Sequence, residues 1–253
     1  MGKQQGVVNL RGTVGDVSFM QTKDGFQVRK KKRSPSKQVI ASDPRYARLR
    51  ENMSEFGRAT QAGKLFRDVF VEALKDCYDR RITSRMSKAM MKVLLSDPES
   101  YRGKRNIMKG DAGLLNGFQC NEAASRAMVF KSPFSAEVDR VNGKLTVTIP
   151  PFTPAGTLAK PIGATHVKFH AAAAEINFDS REYVSKLEES VAISIEQPVP
   201  VAAVSFELDL TANSTNPLFL LLGMRYYQES NGIFYTINDS SSNFLDVISA
   251  GSA

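Results

Sequence analysis

The sequence predicts an α+β protein, with short β-strands plus helices in its N-terminal part and a C-terminal antiparallel β-sandwich of immunoglobulin-like or jelly-roll-like type. Two observations support this class. Apolar residues recur at helical spacing between residues 42 and 129, and from about residue 130 the period changes from 3.6 to 2. We therefore predict a β-hairpin arm with a basic tract at 1–41, a helical basic region at 42–129 and an all-β sandwich domain at 130–253.

Short apolar runs separated by turn residues predict the arm. Strands are expected at 7–11, 17–21 and 26–28, with turns at 12–15 and 22–25, where Asp24-Gly25 is a strong hairpin signal. The last strand leads into a basic tract that consists of Arg29, Lys30, Lys31, Lys32 and Arg33. Because five adjacent cations repel one another, we expect the tract to be unpacked, and residues 34–37 to form a linker.

A first helix is expected to begin at Ser42 or Asp43, since either residue can cap it and Pro44 is welcome in a first turn. Its first apolar face comprises Leu49, Met53 and Phe56. Gly57 and Gly63 predict a kink or break near Thr60. The apolar pattern then resumes with Phe66, Val69, Phe70, Ala73, Leu74 and Cys77.

A second helix is predicted from about residue 83 to 95, and Asp97-Pro98 should end it because the residue before proline disfavours helical dihedral angles. Its inner face is expected to comprise Ile82, Met86, Ala89, Met90 and Val93. The glycine-rich region 102–121 is predicted to mix a short helix with loop. The aromatic residues of the helical region should lie in the core; they are Phe56, Phe66, Phe70 and Tyr78.

Alternating patterns predict the strands of the C-terminal part, at 144–149, 166–172, 191–196, 203–210, 218–227 and 233–237. Asn142-Gly143 and Asn231-Gly232 are each typical of a two-residue hairpin turn. The last hairpin is rich in aromatic residues, namely Phe219, Tyr226, Tyr227, Phe234 and Tyr235. They predict a hairpin in the sandwich core, and the alternative is an exposed tyrosine face that docks a partner.

The charge of the chain is divided unevenly. Residues 1–132 hold 27 Lys+Arg and 13 Asp+Glu, a net charge of +14, whereas residues 133–253 hold 7 and 13, a net charge of −6. Such a step indicates that the first part meets something anionic, and nucleic acid or an acidic protein surface is the expected partner. Alternatively, the two parts dock on each other and cancel much of the field.

Three basic clusters are candidates for anion binding. The first is the tract Arg29, Lys30, Lys31, Lys32 and Arg33. The second is a stripe on one face of the second helix, formed by Arg81, Arg85, Lys88 and Lys92. The third comprises Arg102, Lys104 and Arg105, beside Tyr101 and Lys109. For each cluster the alternative is an ordinary solvated face. Because no known nucleic-acid-binding motif is present, we expect contacts to the phosphate backbone with little base recognition.

No pattern in the chain predicts catalysis, a cofactor or a metal site. His166 and His170 lie on a predicted strand, where four residues span about 13 Å, too far apart to hold one ion. Phosphate-binding loops, nucleophile elbows and metalloprotease motifs are missing, so we expect a non-enzymatic protein. Cys77 and Cys120 are predicted to be buried thiols. The sequence carries no signal-peptide pattern and no apolar run near 20 residues, which favours a cytoplasmic or virion location and no membrane contact.

Four segments carry a resemblance. Residues 6–19, Gln27-Val28-Arg29 and the helix at 43–63 resemble a widespread group of uncharacterised proteins of Bacteroidota and their phages, and residues 222–235 are similar to the last hairpin of that group. The resemblance implies a bacterial or phage setting and a non-enzymatic role, and it assigns no functional residue.

These observations lead to two main hypotheses. The first is a binding or assembly protein whose basic N-terminal half contacts an anionic partner, with nucleic acid first among the candidates. The second is a structural subunit of a phage particle or another large assembly, homo-oligomeric or larger, in which the N-terminal arm docks on a neighbouring subunit. An enzyme with an unrecognised site is the third.

Overall fold

The computed structural model describes residues 2–4, 8–31, 35–237 and 241–252. The fold is α+β with several antiparallel sheets, as predicted. The chain divides into two compact units, Met1–Arg50 and Glu51–Ala253. The boundary between the two units lies after Arg50, whereas the sequence predicted one after residue 41. The second predicted boundary, after residue 129, lies inside the second unit.

The N-terminal unit contains a four-stranded antiparallel sheet. Its strands are β1 (Gly2–Lys3), β2 (Gly12–Val14), β3 (Val17–Thr22) and β4 (Gly25–Lys30), in the order β1-β4-β3-β2. The hairpin predicted around Asp24-Gly25 is confirmed, because Thr22 pairs with Gly25. The strand predicted at 7–11 is wrong for residues 8–11, which precede β2, and Val7 lies outside the described residues.

Two corrections concern the start of the helical segment. Helix α1 (Lys37–Ser42) begins at the last residue of the predicted linker, and the hydroxyl of Ser36 caps it by accepting a hydrogen bond from the backbone N–H of Val39. Asp43 does cap the next element, a 3-10 turn at Pro44–Tyr46, by accepting from the N–H of Arg45. Helix α2 (Ala47–Val69) follows directly.

Helix α2 has no break near Thr60. A Cβ atom at Gly63 would lie 3.2 Å from Cγ of Met86. Gly63 therefore allows the helix that carries Met86 to approach α2 closely, and it does not interrupt α2. The predicted apolar face is also wrong: Leu49, Met53 and Phe56 are 40%, 58% and 59% exposed. The buried face consists of Glu55, Ala59, Ala62, Gly63, Phe66 and Val69, because small residues admit close packing.

The remaining helices are α3 (Val71–Leu74), α4 (Ile82–Leu95), a 3-10 turn at Ala112–Leu115, α5 (Arg126–Val129) and α6 (Pro154–Thr157). Helix α4 is confirmed, with its predicted inner face buried except for the half-buried Ala89, and it ends before Asp97-Pro98. The carboxylate of Asp97 accepts hydrogen bonds from the N–H groups of three loop residues. Burial opposes its charge, but these donors outweigh burial and lower the pKa of Asp97 to about 2. Of the aromatic residues expected in this core, Phe66 and Phe70 are buried, whereas Phe56 and Tyr78 are exposed.

Two further sheets belong to the second unit. Strands β5 (Ser135–Asp139), β6 (Lys144–Ile149) and β10 (Val204–Asp209) form one in the order β10-β6-β5. The larger sheet has the order β12-β11-β7-β8, with β9 paired to β7 and β13 to β11. Its strands are β7 (His166–Ile176), β8 (Tyr183–Glu189), β9 (Ile193–Ser194), β11 (Leu218–Ser230), β12 (Ile233–Thr236) and β13 (Phe244–Gly251).

Of the two predicted hairpin turns, one is confirmed. Ser230 pairs with Ile233, and both Asn231 and Gly232 have positive φ, as a type I′ turn requires. At the other site Asp139 pairs with Lys144, so the loop has four residues, and the side chain of Asn142 bonds to the carboxylate of Asp139. Strands β5, β8 and β13 were not predicted, and the strand predicted at 191–196 is reduced to β9.

The central strands β7 and β11 of the larger sheet are largely buried on both faces, whereas every residue of β8 and β12 is exposed. One face packs against the helices through β7 residues Ala172, Ala174 and Ile176 and β11 residues Phe219 and Leu221. The opposite face shares a second apolar cluster with β6 and β10; its members include Phe169, Ala171, Ala173, Leu220, Leu222, Leu145, Val147 and Phe206. Helices and strands therefore share their cores, which explains why Glu51–Ala253 form one unit.

A buried arginine on β11 joins the sheet to the helices. The guanidinium of Arg225 donates to the carbonyl oxygens of Glu72, Ala73 and Lys75 at the end of α3, at 3.0 Å for Ala73 and 2.9 Å for Lys75. It also forms an ion pair of 2.8 Å with Glu189 on β8. Because the last carbonyls of a helix lack partners within it, Arg225 supplies their donors.

We predict that Arg225→Met lowers the free energy of unfolding by about 3 kcal/mol, because it leaves several buried acceptors without a charged donor. Urea unfolding of the full-length protein measures this. Arg181→Met is the matched control, since Arg181 is exposed and, among the described residues, its guanidinium donates to the side chain of Gln61 alone. Equal losses in the two variants would contradict the structural role of Arg225.

Candidate anion-binding surface

The described part of the basic tract continues a strand. Arg29 and Lys30 are the last residues of β4, where Arg29 pairs with Ser18 and Lys30 with Val17. Because side chains alternate along a strand, these two exposed cations point to opposite faces of the sheet. The N–H of Lys31 donates to the carbonyl of Asp16. Lys32 and Arg33 lie outside the described residues.

Three of the four residues predicted to form a basic stripe on α4 are exposed, and one is not. Arg81, Lys88 and Lys92 are exposed. The side chain of Arg85 is only 17% exposed; it forms an ion pair with Asp79 and donates to the carbonyl oxygens of Gln119 and Cys120. Arg85 therefore ties α4 to the 119–120 segment and does not lie on the outer stripe.

The third cluster is largely neutralised within the protein. Arg102 lies 3.5 Å from the carboxylate of Glu51, and Arg105 lies 3.6 Å from that of Glu55. Glu55 is buried and also accepts from the N–H of Gly103. Lys104 remains exposed. This cluster therefore presents less positive charge to solvent than its composition indicates.

When charges are counted for the two observed units, the asymmetry lies elsewhere than the sequence predicted. Residues 1–50 contain 12 Lys+Arg and 3 Asp+Glu, a net charge of +9, whereas residues 51–253 contain 22 and 23, a net charge of −1. The excess positive charge of the chain thus belongs to its first fifty residues. The candidate anion-binding surface is accordingly centred on the N-terminal unit.

Sequence reasoning missed a shallow groove on this unit, which is largely open to solvent. It has a volume of about 700 Å³ and is lined by Arg11, Phe19, Met20, Gln21, Thr22 and Lys23. Strand β2 pairs with β3 only from Val17 to Phe19, so Met20–Thr22 are hydrogen-bonded on one side only, to β4. The sequence feature that could have indicated this groove is the Asp24-Gly25 turn, because pairing Thr22 with Gly25 determines which side chains share a face of the sheet.

A second concavity belongs to the larger unit. About 200 Å³ in volume, it is lined by Arg58, Gln61, Ala62, Leu65, Asn106, Ile107, Phe178, Asp179 and Arg181. The amide of Asn106 donates to both oxygens of Asp179, Arg181 donates to Gln61, and Arg58 donates to the carbonyl of Gly103. These polar groups mostly bond to one another, which holds α2 against its neighbouring loops.

Several ionisable groups of the larger unit are buried. Burial, together with the nearby charge of Arg225, lowers the pKa of His170 to about 3. A Cβ atom at Gly223 would overlap its imidazole, so glycine makes room for this ring. His166 instead lies 3.5 Å from Glu229. Cys77 and Cys120 are buried free thiols, as predicted, and burial raises the pKa of Cys77 to about 12. Among the described residues, no three His, Cys, Asp or Glu side chains are grouped to hold a metal.

Asp246 on β13 is a buried carboxyl whose Oδ1 atom has no hydrogen-bond partner among the described residues. Burial raises its pKa to about 6, only partly offset by the charge of Arg126. A raised pKa means that the folded state favours the protonated carboxyl. The stability that this carboxyl group contributes is therefore fully present below its ordinary pKa of 3.8, and this contribution is lost as the pH rises through about 6.

We predict that Asp246→Asn removes this loss, because the amide is neutral at every pH. The thermal midpoint at pH 8 should rise by several degrees, reflecting up to about 3 kcal/mol for a pKa raised from 3.8 to about 6, while the value at pH 4 changes little. Thermal unfolding followed by circular dichroism from pH 4 to 8 measures this. The exposed Asp209→Asn serves as the control; a parallel pH profile for Asp246→Asn and wild type would contradict the assignment.

Comparison with known protein families, with curated proteins and with solved structures finds no match. The resemblance to the Bacteroidota group therefore remains a prediction. No helix within the described ranges combines the length and apolar character needed to span a bilayer.

Proposed function

We propose that this protein is a non-enzymatic binding protein whose basic N-terminal unit contacts an anionic polymer, with nucleic acid as the partner and the phosphate backbone as the main contact. The observation that carries the proposal is the net charge of +9 on residues 1–50 beside a net charge of −1 on residues 51–253. A duplex carries one negative charge per about 1.7 Å of its axis, so such a unit has strong electrostatic attraction to it.

The arrangement of the cations supports phosphate contacts over recognition of one small anion. Arg29 and Lys30 point to opposite faces of the small sheet, and Lys31 follows at its end. Cations spread in this way can neutralise successive phosphates of a flexible chain, and each contact releases condensed counterions. The cations of the larger unit contribute less, because Arg85, Arg102 and Arg105 are engaged by protein groups.

Binding of labelled DNA and RNA across a salt series tests the proposal. We expect affinity to fall steeply with salt, and the combined change Arg29→Gln, Lys30→Gln and Lys31→Gln to reduce the log–log slope by about 0.7 to 0.9 for each phosphate that is no longer neutralised. The matched control removes three exposed lysines of the larger unit through Lys88→Gln, Lys92→Gln and Lys104→Gln. No binding at low salt, or equal slopes for both variants, would contradict the proposal.

A second candidate function is favoured by a separate observation. No described residue of the N-terminal unit is buried, so its sheet has no enclosed core. A sheet of this kind gains stability when another chain covers it or adds a strand to its edge. The candidate is a structural subunit of a phage particle or another large assembly, whose two sheets in the larger unit form a sandwich of immunoglobulin-like or jelly-roll-like type.

Sedimentation velocity of the full-length protein separates these candidates. The assembly subunit should form large ordered oligomers at micromolar concentration, because docking of the arm buries apolar surface. The binding protein should sediment as a monomer until nucleic acid is added. A single monomeric species across the whole concentration range would contradict the assembly role.

A further inference from the structure

We propose that the face of the N-terminal sheet that carries Phe19 and Phe26, together with the groove beside Phe19, binds single-stranded nucleic acid, with bases stacked on the two rings and phosphates held by the surrounding cations. The inference rests on the proposed function and narrows its substrate class from nucleic acid in general to single strands. It also adds base contacts to an interface that sequence reasoning limited to the backbone.

The register of the sheet places the two rings on one face. Phe19 pairs with Val28, and Gln21 pairs with Phe26, so Phe19 and Phe26 are diagonal neighbours on adjacent strands. Such neighbours lie about 7–8 Å apart, within reach of successive bases of an extended strand. Both side chains are half-buried, which leaves part of each ring accessible.

The strand next to Phe19 leaves its ring open. The residue of β2 that pairs with Phe19 is Gly12, which has no side chain to cover the ring. Its φ is +114°, a conformation that favours glycine, and nothing lies within 4 Å of the position of a Cβ atom there. The open space beside Phe19 is thus a property of the backbone.

The groove supplies the second requirement, a basic track for phosphates. Arg11 and Lys23 line it together with Phe19, and Lys30 lies on the same face as both phenylalanines. Positively charged grooves combined with aromatic side chains are the usual means of binding single strands without sequence preference, since every base has a π-face.

This combination favours a single strand over a duplex. In a duplex the bases are stacked on each other, so their faces cannot contact Phe19 or Phe26. A single strand can present its bases to the rings and its phosphates to the cations at once. An acidic protein surface would satisfy the charges but would gain nothing specific from aromatic rings.

Fluorescence anisotropy with a labelled oligothymidylate and a labelled duplex of the same length tests the proposal on the full-length protein. We expect tighter binding of the single strand. Phe19→Leu and Phe26→Leu should each weaken it about five- to tenfold, because leucine keeps apolar bulk but cannot stack, and should change duplex binding less than about twofold. Phe19→Tyr should bind like wild type. Phe56→Leu is the matched control, since Phe56 is an exposed aromatic residue of α2 outside the proposed site.

A measurement on the unaltered protein guards against unfolding of the variants. Photocrosslinking to an oligonucleotide that carries halogenated uracil, followed by mass spectrometry, should label Phe19, Phe26 or both. Crosslinks confined to residues 51–253 would overturn the inference. Equal affinities for single strand and duplex, unchanged in the leucine variants, would overturn it too while the proposed function stands. Failure of both oligonucleotides to bind at low salt would overturn both proposals.

Discussion

The guanidinium of Arg225 is the point at which the layers of the larger unit are joined. It projects from β11, the strand that pairs with β7, β12 and β13, and it bonds to three carbonyls at the end of α3 and to Glu189 on β8. Buried charge is costly unless every donor has an acceptor, so the contacts of this side chain favour the observed placement of the helices on the sheet. Apolar side chains of both clusters pack around the strands of this sheet and supply most of its stability.

Other arginines of the larger unit are used in the same way. Arg140 donates to four carbonyl oxygens, those of Ser214, Asn216, Gly251 and Ser252, and so brings a loop and the C-terminal strand together. Arg85 fastens α4 to the segment near Cys120. Guanidinium groups suit this role because they carry five donors and no acceptor. Counting charges along a chain therefore overestimates the field outside it wherever arginine serves as an internal connector.

The difference between local patterns and contacts with distant residues explains which parts of the molecule the sequence could predict. Helix α4 and the final hairpin follow from local patterns, a 3.6-residue apolar repeat and an Asn-Gly turn. Strand β8 could not be predicted, because all its residues are exposed and no alternation marks it. The engagement of Arg85 was hidden as well, since two of its acceptors are backbone carbonyls more than thirty residues away. The groove beside Phe19 needed the pairing register of three strands, which spacing alone does not supply.

The four consecutive alanines of β7, Ala171–Ala174, have a consequence for how the chain reaches this structure. Alanine is the best helix former and is depleted in strands, so this segment adopts a conformation opposed to its local preference. Its neighbours β8 and β11 override that preference by pairing on both sides. In the denatured ensemble, where those neighbours are absent, we expect residues 166–176 to visit helical conformations. Folding then has to melt a transient non-native helix before the centre of the sheet can close, a source of frustration at the heart of the fold.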